Sequence, residues 1–276
     1  MQPRPDGVYV DCTVGLGGHA AALLDAGAGR LIGLDRDEAA LAIARARLTA
    51  RAGGRIEFVH ADYRDLPRVL RERGVDGIDG AIADLGVSSM QLDDAERGFS
   101  FRQDGPLDMR MDRSSGVPVA DLIRTTDEVT LADVIFRFGE ERHSRRVARA
   151  IVQARERQPL TRTAELASVV RRAAGGRGWQ RIDPATRTFQ ALRIWVNREL
   201  DGLDTFVEAA VAALRVGGRF AMIAFHSLED RVVKQTFKRL PDVQILTKRP
   251  VVADEDEIRR NPRSRSARLR AVERVA

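Results

Sequence analysis

Cysteine, lysine and long apolar runs are scarce or missing in this sequence of 276 residues. The single cysteine, Cys12, cannot form an internal disulfide, which agrees with a reducing compartment. No run of 18 or more apolar residues occurs, and residues 1–7 lack the basic and then apolar pattern of an export signal. The four histidines are widely spaced and form no ligand pair. We therefore expect a cytoplasmic protein with neither a metal site nor a membrane span.

The positive charge is concentrated in two parts of the chain. Only three of the 46 basic residues are lysines, and the formal net charge is +6. Residues 142–187 hold 12 basic and 3 acidic residues, and residues 231–276 hold 13 and 6, which leaves a net charge of −10 for the rest. This distribution suggests a polyanionic partner such as nucleic acid. A solvated arginine-rich surface, or a bias in genomic base composition, would also produce many arginines.

The first part of the sequence alternates short apolar runs with segments of helical period. This alternation is typical of βαβ units, and it predicts an α/β fold with a parallel sheet and helices on both faces. The predicted strands and helices up to residue 83 are Val8–Cys12, Ala20–Asp25, Leu31–Leu34, Asp37–Arg51, Ile56–Val59, Pro67–Arg73 and Ile78–Ala83.

From about Phe99 the strand pattern stops and helical periods follow. The predicted helices are Val119–Thr125, Leu131–Phe138, His143–Arg157, Thr163–Ala174 and a long segment from Pro184 to Leu214 that Gly202 interrupts. We expect Gly217-Gly218 to end that segment before three further strands, Arg219–Phe225, Val243–Thr247 and Leu269–Val275. The sequence therefore predicts one α/β domain, residues 1–99 and 184–276, interrupted by a helical insertion, residues 100–183.

A glycine-rich loop follows the first predicted strand. Gly17 and Gly18 come shortly after Asp11, and Asp35 ends the second strand 17 residues after Gly18. Such glycines let the backbone approach a ligand, and a carboxylate like Asp35 can accept hydrogen bonds from both hydroxyls of a ribose. Ala20 replaces the third glycine of the dinucleotide fingerprint. S-adenosylmethionine, whose ammonium group Asp11 can face, therefore fits better than a dinucleotide, and a tight structural turn is the alternative.

Polar residues also follow the third and fourth predicted strands. Asp62-Tyr63 places a polar group and an aromatic ring where they can flank an adenine, and Asp84 ends the fourth strand. Ligands of open α/β sheets bind at the carboxyl ends of the strands, so these residues and Asp35 predict one site. The alternative for each aspartate is a structural loop cap, above all for Asp62.

Six longer segments carry a resemblance to a known family. They are Asp84–Ser89, Arg97–Phe101 with Gly105–Asp112, Thr188–Ile194, Ala224–Arg231 and Asn261–Ala267. Through these segments the sequence resembles, over nearly its whole length, the bacterial 16S ribosomal RNA cytosine-N4 methyltransferases. The resemblance implies a Rossmann-like class I methyltransferase sheet with an inserted helical domain that helps to bind RNA.

The resemblance also implies an activity and a set of cofactor contacts. The implied reaction transfers a methyl group from S-adenosylmethionine to N4 of a cytosine in the decoding region of 16S ribosomal RNA, within the small subunit. Asp84 is the candidate catalytic residue, because an acceptor aimed at the cytosine amino group would prepare it for attack. Contacts with the cofactor are implied for Gly17, Gly18, His19, Asp35, Tyr63, Asp84 and Gln91.

Other residues are candidates for contact with RNA. His226 borders the expected substrate mouth, where it either contacts the base or is a structural hydrogen-bonding residue. Trp179, in a basic glycine-rich stretch, either stacks on a base or anchors a loop. The candidates for phosphate contact in the basic tail are Arg263, Arg265 and Arg268.

Two other functions remain open at this point. A nicotinamide-dependent oxidoreductase is supported by the glycine-rich turn and Asp35, and it is opposed by Ala20 and the basic insertion. A non-catalytic ribosome-binding factor on a methyltransferase scaffold is opposed by the intact set of polar residues at the strand ends. A methyltransferase that acts on RNA accounts for all of these features together.

Overall fold

A computed structural model describes residues 1–175 and 183–276. The chain forms two compact units, Met1–Gly86 with Leu200–Ala276, and Val87–Glu199. The boundaries predicted after residues 99 and 183 lie inside the second unit. Phe99 and Phe189 are buried in the same apolar core as the helices between them, so packing assigns the flanking segments to that unit. No turn signal in the local sequence marks this assignment.

The first unit is built on a seven-stranded sheet, as far as the described residues show. The strand order is β3-β2-β1-β4-β5-β7-β6, and β7 runs antiparallel to both of its neighbours. The other pairings, from β3 to β5, are parallel. The strands are β1 (Val8–Asp11), β2 (Arg30–Asp35), β3 (Ile56–His60), β4 (Ile78–Asp84), β5 (Leu214–Ala224), β6 (Val243–Ile245) and β7 (Arg268–Arg274).

Helices cover both faces of this sheet, as predicted. Tyr9 and Leu31 point to one side and belong to one buried cluster, whereas the next residues along each strand, Val10 and Ile32, belong to the cluster on the other side. This alternation follows from the two-residue period of a strand, and two apolar faces require two layers of helices. Helices are numbered along the chain, and those of the first unit are α1 (Gly18–Asp25), α2 (Glu38–Ala52), α3 (Leu66–Glu72), α10 (Leu203–Ala213), α11 (Ser227–Arg239) and α12 (Glu255–Arg260).

The second unit is helical in its described residues and has a core of its own. The helices predicted over Val119–Thr125 and Thr163–Ala174 have those bounds in the structure. Leu131 and Ile151 are fully buried in this core. No described helix in either unit is long and apolar enough to cross a membrane. The helices of the second unit are α4 (Ser89–Asp93), α5 (Val119–Thr125), α6 (Glu128–Gly139), α7 (Ser144–Arg157), α8 (Thr163–Ala174) and α9 (Ala185–Asn197).

The prediction that Gly217-Gly218 ends a helix was wrong. Helix α10 ends at Ala213, and both glycines lie inside strand β5. The register against β4 jumps from Ile78–Leu214 to Gly80–Arg219, so β5 carries extra residues in a bulge. Gly217 has φ +80°, a conformation that glycine adopts at bulges without steric cost. The parallel pairing predicted from the first part of the sequence is confirmed from β3 to β5, and β7 adds an antiparallel strand between β5 and β6.

Candidate cofactor and substrate site

Three aspartates meet at one edge of the sheet in the first unit. Strands β2, β1 and β4 are neighbours and parallel, so their carboxyl ends lie side by side. Asp11, Asp35 and Asp84 are the last residues of these strands. This is the edge where ligands of doubly wound sheets bind.

The loop between β1 and α1 passes close to these carboxylates. Gly15 and Gly17 have φ values of +50° and +85°, which side-chain-bearing residues rarely adopt. A Cβ atom on Gly17 would lie 2.7 Å from Leu48 Cδ1, whereas one on Gly18 would meet nothing within 4 Å. The loop therefore packs tightly at Gly17 and is open at Gly18, the first residue of α1.

Asp11 is fully buried, and only one of its carboxylate oxygens has a partner. Oδ1 accepts a hydrogen bond from Thr13 N at 3.2 Å, whereas Oδ2 is buried without a partner among the described residues. Burial raises the pKa of Asp11 to about 7, and the nearby His19 opposes this shift. An unpartnered buried carboxylate oxygen is costly, and a cationic ligand would remove that cost.

Asp84 and His19 form a pair beside Asp11. His19 Nε2 lies 3.3 Å from Asp84 Oδ2, and the hydrogen bond to this carboxylate raises the pKa of His19. Asp84 Oδ1 is buried and has no hydrogen-bond partner among the residues described. Thr13 Oγ1 accepts a hydrogen bond of 2.6 Å from Asp84 N. Sequence reasoning missed Thr13, which links the ends of β1 and β4; its hydroxyl directly after a strand end was the available signal.

Asp35 is held by backbone groups on both sides. Its Oδ2 accepts a hydrogen bond from Gly15 N at 2.7 Å, and its Oδ1 accepts one from Asp37 N at 2.8 Å. Burial raises the pKa of Asp35, and these two hydrogen bonds work against the shift. A carboxylate has about four acceptor sites, so each oxygen can accept one more hydrogen bond, as two ribose hydroxyls require.

Asp62 and Tyr63, after β3, are more deeply integrated into the fold. Asp62 Oδ1 accepts a hydrogen bond from Arg64 N, and both carboxylate oxygens contact the Arg64 guanidinium at 2.7 Å. Asp62 is therefore a structural loop cap, the alternative that the sequence left open for it. Tyr63 packs on Phe206 with ring centroids 4.5 Å apart and is 8 % exposed. Little of the Tyr63 ring is accessible for stacking on an adenine.

Gln91 belongs to the second unit, in which it is buried. Its side-chain Oε1 accepts a hydrogen bond from Ser88 N at 2.9 Å, and Ser88 Oγ accepts one from Gln91 N, so the two residues form a capping box at the start of α4.

Trp179 lies outside the described residues. Phe101 packs edge-on against Phe189, which is buried in the core of the second unit, so this contact anchors Phe101 to that core.

His226 begins helix α11 as its N-cap. Its Nδ1 accepts a hydrogen bond from Glu229 N at 3.3 Å. Its Nε2 is buried and lies 3.1 Å from Glu229 Oε1, but it has no hydrogen-bond partner among the described residues. A ring nitrogen that accepts a hydrogen bond carries no proton, so a neutral His226 holds its proton on Nε2. His226 is therefore a helix cap whose Nε2 has no hydrogen-bond partner in the part of the chain that the structure describes.

The three tail arginines differ in their surroundings. Arg268, at the start of β7, lies 3.2 Å from Asp230 Oδ2, and the buried Arg270 contacts both oxygens of the same carboxylate. Arg263 and Arg265 belong to a short 3₁₀ turn before β7, and Arg265 is exposed. The positive charge of Arg268 is therefore partly compensated inside the protein.

The charge at the sheet edge discriminates between ligand types. Asp11, Asp35 and Asp84 would repel a pyrophosphate. A ligand with an ammonium and a sulfonium group would instead be attracted by Asp11 Oδ2 and Asp84 Oδ1, which are buried and have no partner among the described residues. S-adenosylmethionine has these two cationic groups. The residues present therefore fit this cofactor and disfavour a dinucleotide.

Comparisons with known proteins agree with this choice. A profile described as the MraW methylase family matches residues 1–275. The ribosomal RNA small subunit methyltransferase H of Sorangium cellulosum is 54 % identical over 275 residues, which cover 100 % of this chain and 87 % of the relative. The protein of the same name from Bradyrhizobium diazoefficiens is 50 % identical over 293 residues, with coverage of 100 % and 88 %.

Among solved structures, an rRNA methylase from Streptococcus thermophilus is similar with a TM-score of 0.46 and 13 % identity, and the match covers 100 % of this chain and 90 % of that one. The profile match and the identity to the curated relatives each span essentially the whole chain. The chain therefore belongs to the MraW methylase family, with S-adenosylmethionine as its methyl donor.

Proposed function

We propose that this protein transfers a methyl group from S-adenosylmethionine to the exocyclic N4 of a cytosine in the decoding region of 16S ribosomal RNA, within the small subunit. The observation that carries the proposal is the full-length match to relatives named ribosomal RNA small subunit methyltransferase H, at about half of all positions. The resemblance through the segments around Asp84 and His226 supports the choice of cytosine N4.

Different residues at the sheet edge bind different groups of the cofactor. Asp11 Oδ2 would hold the methionine ammonium, and Asp35 would accept hydrogen bonds from the ribose hydroxyls. Gly18 gives the backbone room to approach, since a Cβ there would meet nothing within 4 Å. When bound, S-adenosylmethionine supplies a methyl group activated by its sulfonium. The remaining proposed cofactor contacts are Gly17, His19, Tyr63, Asp84 and Gln91.

Asp84 prepares the cytosine amino group. The lone pair of this amine is delocalised into the ring, so the nitrogen is a weak nucleophile until an acceptor orients its N–H bonds. Asp84 Oδ1 is a buried acceptor with no partner among the described residues, and His19 lies against the other oxygen. The rate of methyl transfer then depends on how the amino group is positioned and hydrogen-bonded. The base must leave its stack to reach such a pocket, and His226, Arg263, Arg265 and Arg268 are the proposed contacts with the RNA.

One experiment tests the activity directly. Purified protein is incubated with small ribosomal subunits that lack the modification and with S-adenosylmethionine carrying a labelled methyl group, and the RNA is digested to nucleosides. We expect label in N4-methylcytidine from a single decoding-region position. Label in another nucleoside, or binding to the particle without transfer, would overturn the proposal. Thermal stabilisation by NAD in place of S-adenosylmethionine would favour an oxidoreductase, since saturation at 100 times Kd adds about 2.7 kcal/mol.

A further inference from the structure

A second cavity in the first unit shares no residue with the cofactor site. It has a volume of about 510 Å³ and lies between helix α11 and strand β6. Phe237, Val243 and Ile245 form an apolar floor, and Phe237 is almost fully buried. Cavities of this size commonly bind small molecules or parts of larger ones.

All three lysines of the sequence line this one cavity. Lys234 and Lys238 lie one helical turn apart on α11, and Lys248 follows β6. Each is exposed, and none of the three ammonium groups has an ion-pair or hydrogen-bond partner among the described residues. By contrast Arg239, next to Lys238, pairs with Glu208 and Asp204. Three uncompensated cations therefore surround one cavity.

The remaining polar lining adds donors and no negative charge. Arg270 is the fourth cation of the lining, and Asp230 already engages it through two hydrogen bonds. Thr247 Oγ1 accepts a hydrogen bond from Ala271 N, so its hydroxyl proton can be donated elsewhere. No carboxylate is among the described lining residues. The cavity therefore combines an apolar floor with a rim of positive charge and hydrogen-bond donors.

We propose that this cavity binds one nucleotide of the RNA substrate, with its phosphate among Lys234, Lys238 and Lys248 and its base or ribose on the apolar floor. The choice of RNA rests on the proposed function, and the charge complementarity rests on the cavity alone. Flexible ammonium groups suit a phosphate as point charges, and apolar side chains can cover the face of any base. The cavity is thus a docking position for a nucleotide other than the methylated one.

The scarcity of lysine makes a direct test possible. Reductive methylation with ¹³C-formaldehyde keeps the positive charge and labels these three side chains and the N-terminus, and single Lys→Arg variants assign the signals. The labelled protein is titrated with a single-stranded RNA oligomer, cytidine 5′-monophosphate, cytidine and inorganic phosphate. We expect the RNA and the monophosphate to shift all three lysine signals together, and cytidine to bind at least about tenfold more weakly because it lacks the charge-assisted contacts.

Other outcomes of the titration are decisive against the proposal. Unmoved lysine signals with RNA would overturn it. Equal binding of inorganic phosphate and the monophosphate would remove the role of the floor, and shifts with the monophosphate but not with RNA would assign the cavity to a free nucleotide.

Kinetics with the small subunit separate this proposal from the proposed function. The variant K234Q/K238Q/K248Q should raise KM for the particle by about tenfold or more, with kcat and the affinity for S-adenosylmethionine unchanged. A charge-count control, R45Q/R51Q/R71Q, removes the same number of positive charges from exposed positions on α2 and α3, where Arg51 pairs with Asp25 and Arg45 lies over the Phe58 ring, and should leave KM within about twofold. Equal KM values for both variants would refute the nucleotide cavity. Failure of the unaltered protein to methylate the particle would refute the proposed function instead, and the titration would still report on the cavity.

Discussion

At the scale of single residues, the three aspartates of the sheet edge differ in what still lacks a partner. Asp35 has both oxygens engaged by backbone N–H groups, Asp84 has one oxygen on His19, and Asp11 has one on Thr13. Buried polar atoms are normally satisfied, so the two orphaned oxygens of Asp11 and Asp84 are exceptions that a ligand would explain. These differences give each residue its own expected behaviour.

Asp11 should couple cofactor binding to proton release. Its pKa of about 7 means that the folded protein retains a proton that the unfolded chain, with a usual value of 3.8, has lost. The free energy of unfolding should therefore decrease as pH rises from about 4 to about 7, and the stabilising contribution is gone above that range. A bound ammonium favours the carboxylate, so the affinity for S-adenosylmethionine should increase as pH rises from about 5.5 to about 7.5, as calorimetry in buffers of different ionisation enthalpy would show.

The variant Asp11→Asn provides the control for this linkage. It should release no proton on binding and should bind the cofactor more weakly. It should nevertheless be more stable than the parent at pH 8, where the parent buries a carboxylate of which one oxygen, Oδ2, has no partner among the described residues. Unchanged proton release in this variant would show that another group titrates.

Replacement of Asp35 should affect binding more than folding. Asp35→Ala removes two charge-assisted hydrogen bonds to the ribose, each worth roughly 1.5–3 kcal/mol, so affinity measured by calorimetry should fall by about 100-fold or more. It also removes the acceptors of Gly15 N and Asp37 N, which should lower the free energy of unfolding by roughly 1–3 kcal/mol. Asp35→Asn keeps one acceptor oxygen, so its affinity for the cofactor should lie between those of the parent and Asp35→Ala. An unchanged affinity in Asp35→Ala would exclude the ribose contact.

Asp84 should affect the methyl transfer step itself. With cofactor saturating and RNA bound, single-turnover transfer should be slower in Asp84→Asn, which keeps an acceptor without charge, and slowest in Asp84→Ala, by about 100-fold or more. His19→Gln is the companion variant, because it removes the imidazole from Asp84 Oδ2 and leaves Oδ1 in place. A parent-like rate in Asp84→Ala would leave this residue without a chemical role.

At the scale of elements, the turn from β1 into α1 places two adjacent glycines under different constraints. Gly17 is in the left-handed region and packs on Leu48, whereas Gly18 faces open space. The same substitution should therefore have opposite consequences at the two positions.

Gly17→Ala should destabilise the protein, and Gly18→Ala should impair the cofactor site. At φ +85° an alanine costs about 1–2 kcal/mol, which lowers Tm by several degrees. At Gly18 an alanine is a better helix former by up to about 1 kcal/mol, so Tm should hold or rise while the affinity for S-adenosylmethionine falls by about tenfold. Full cofactor affinity in Gly18→Ala would mean that the ligand does not approach the backbone there.

The sequence predicted elements well where the local signal and the packing agree. Asp37 caps α2, and the apolar period continues to a left-handed Gly53, so the predicted helix and the observed one nearly coincide. The glycines of β5 misled the prediction, because a bulge and a helix end use the same residue type. The strand-end aspartates were predictable from the alternation of elements. The lysine cavity was not, because helix α11 and the segment after β6 meet there only through the antiparallel pairing of β6 with β7.

At the scale of the whole molecule, the basic tail should make RNA binding sensitive to salt. Neutralising Arg263 and Arg265 should reduce the slope of log affinity against log salt by about 1.4, at roughly 0.7 per phosphate contact with a single strand. Adding Arg268→Gln should change the slope by less than about 0.7, because Asp230 already compensates part of that charge. Titrations of small subunits at several salt concentrations measure these slopes. An unchanged slope in the double variant would mean that neither arginine contacts an RNA phosphate.

The position of β7 constrains the order in which the chain can fold. This strand follows β6 in the sequence but separates it from β5, and its Val272 is fully buried in the core that α10 and α11 cover. During synthesis β6 therefore has no neighbour to pair with until residues 268–274 have emerged, and the outer half of the sheet stays open. The second unit, residues 87–199, is continuous and is already complete by then. We therefore expect the second unit, in the middle of the sequence, to fold first. The sheet of the first unit should be completed last, when β7 pairs with β5 and β6.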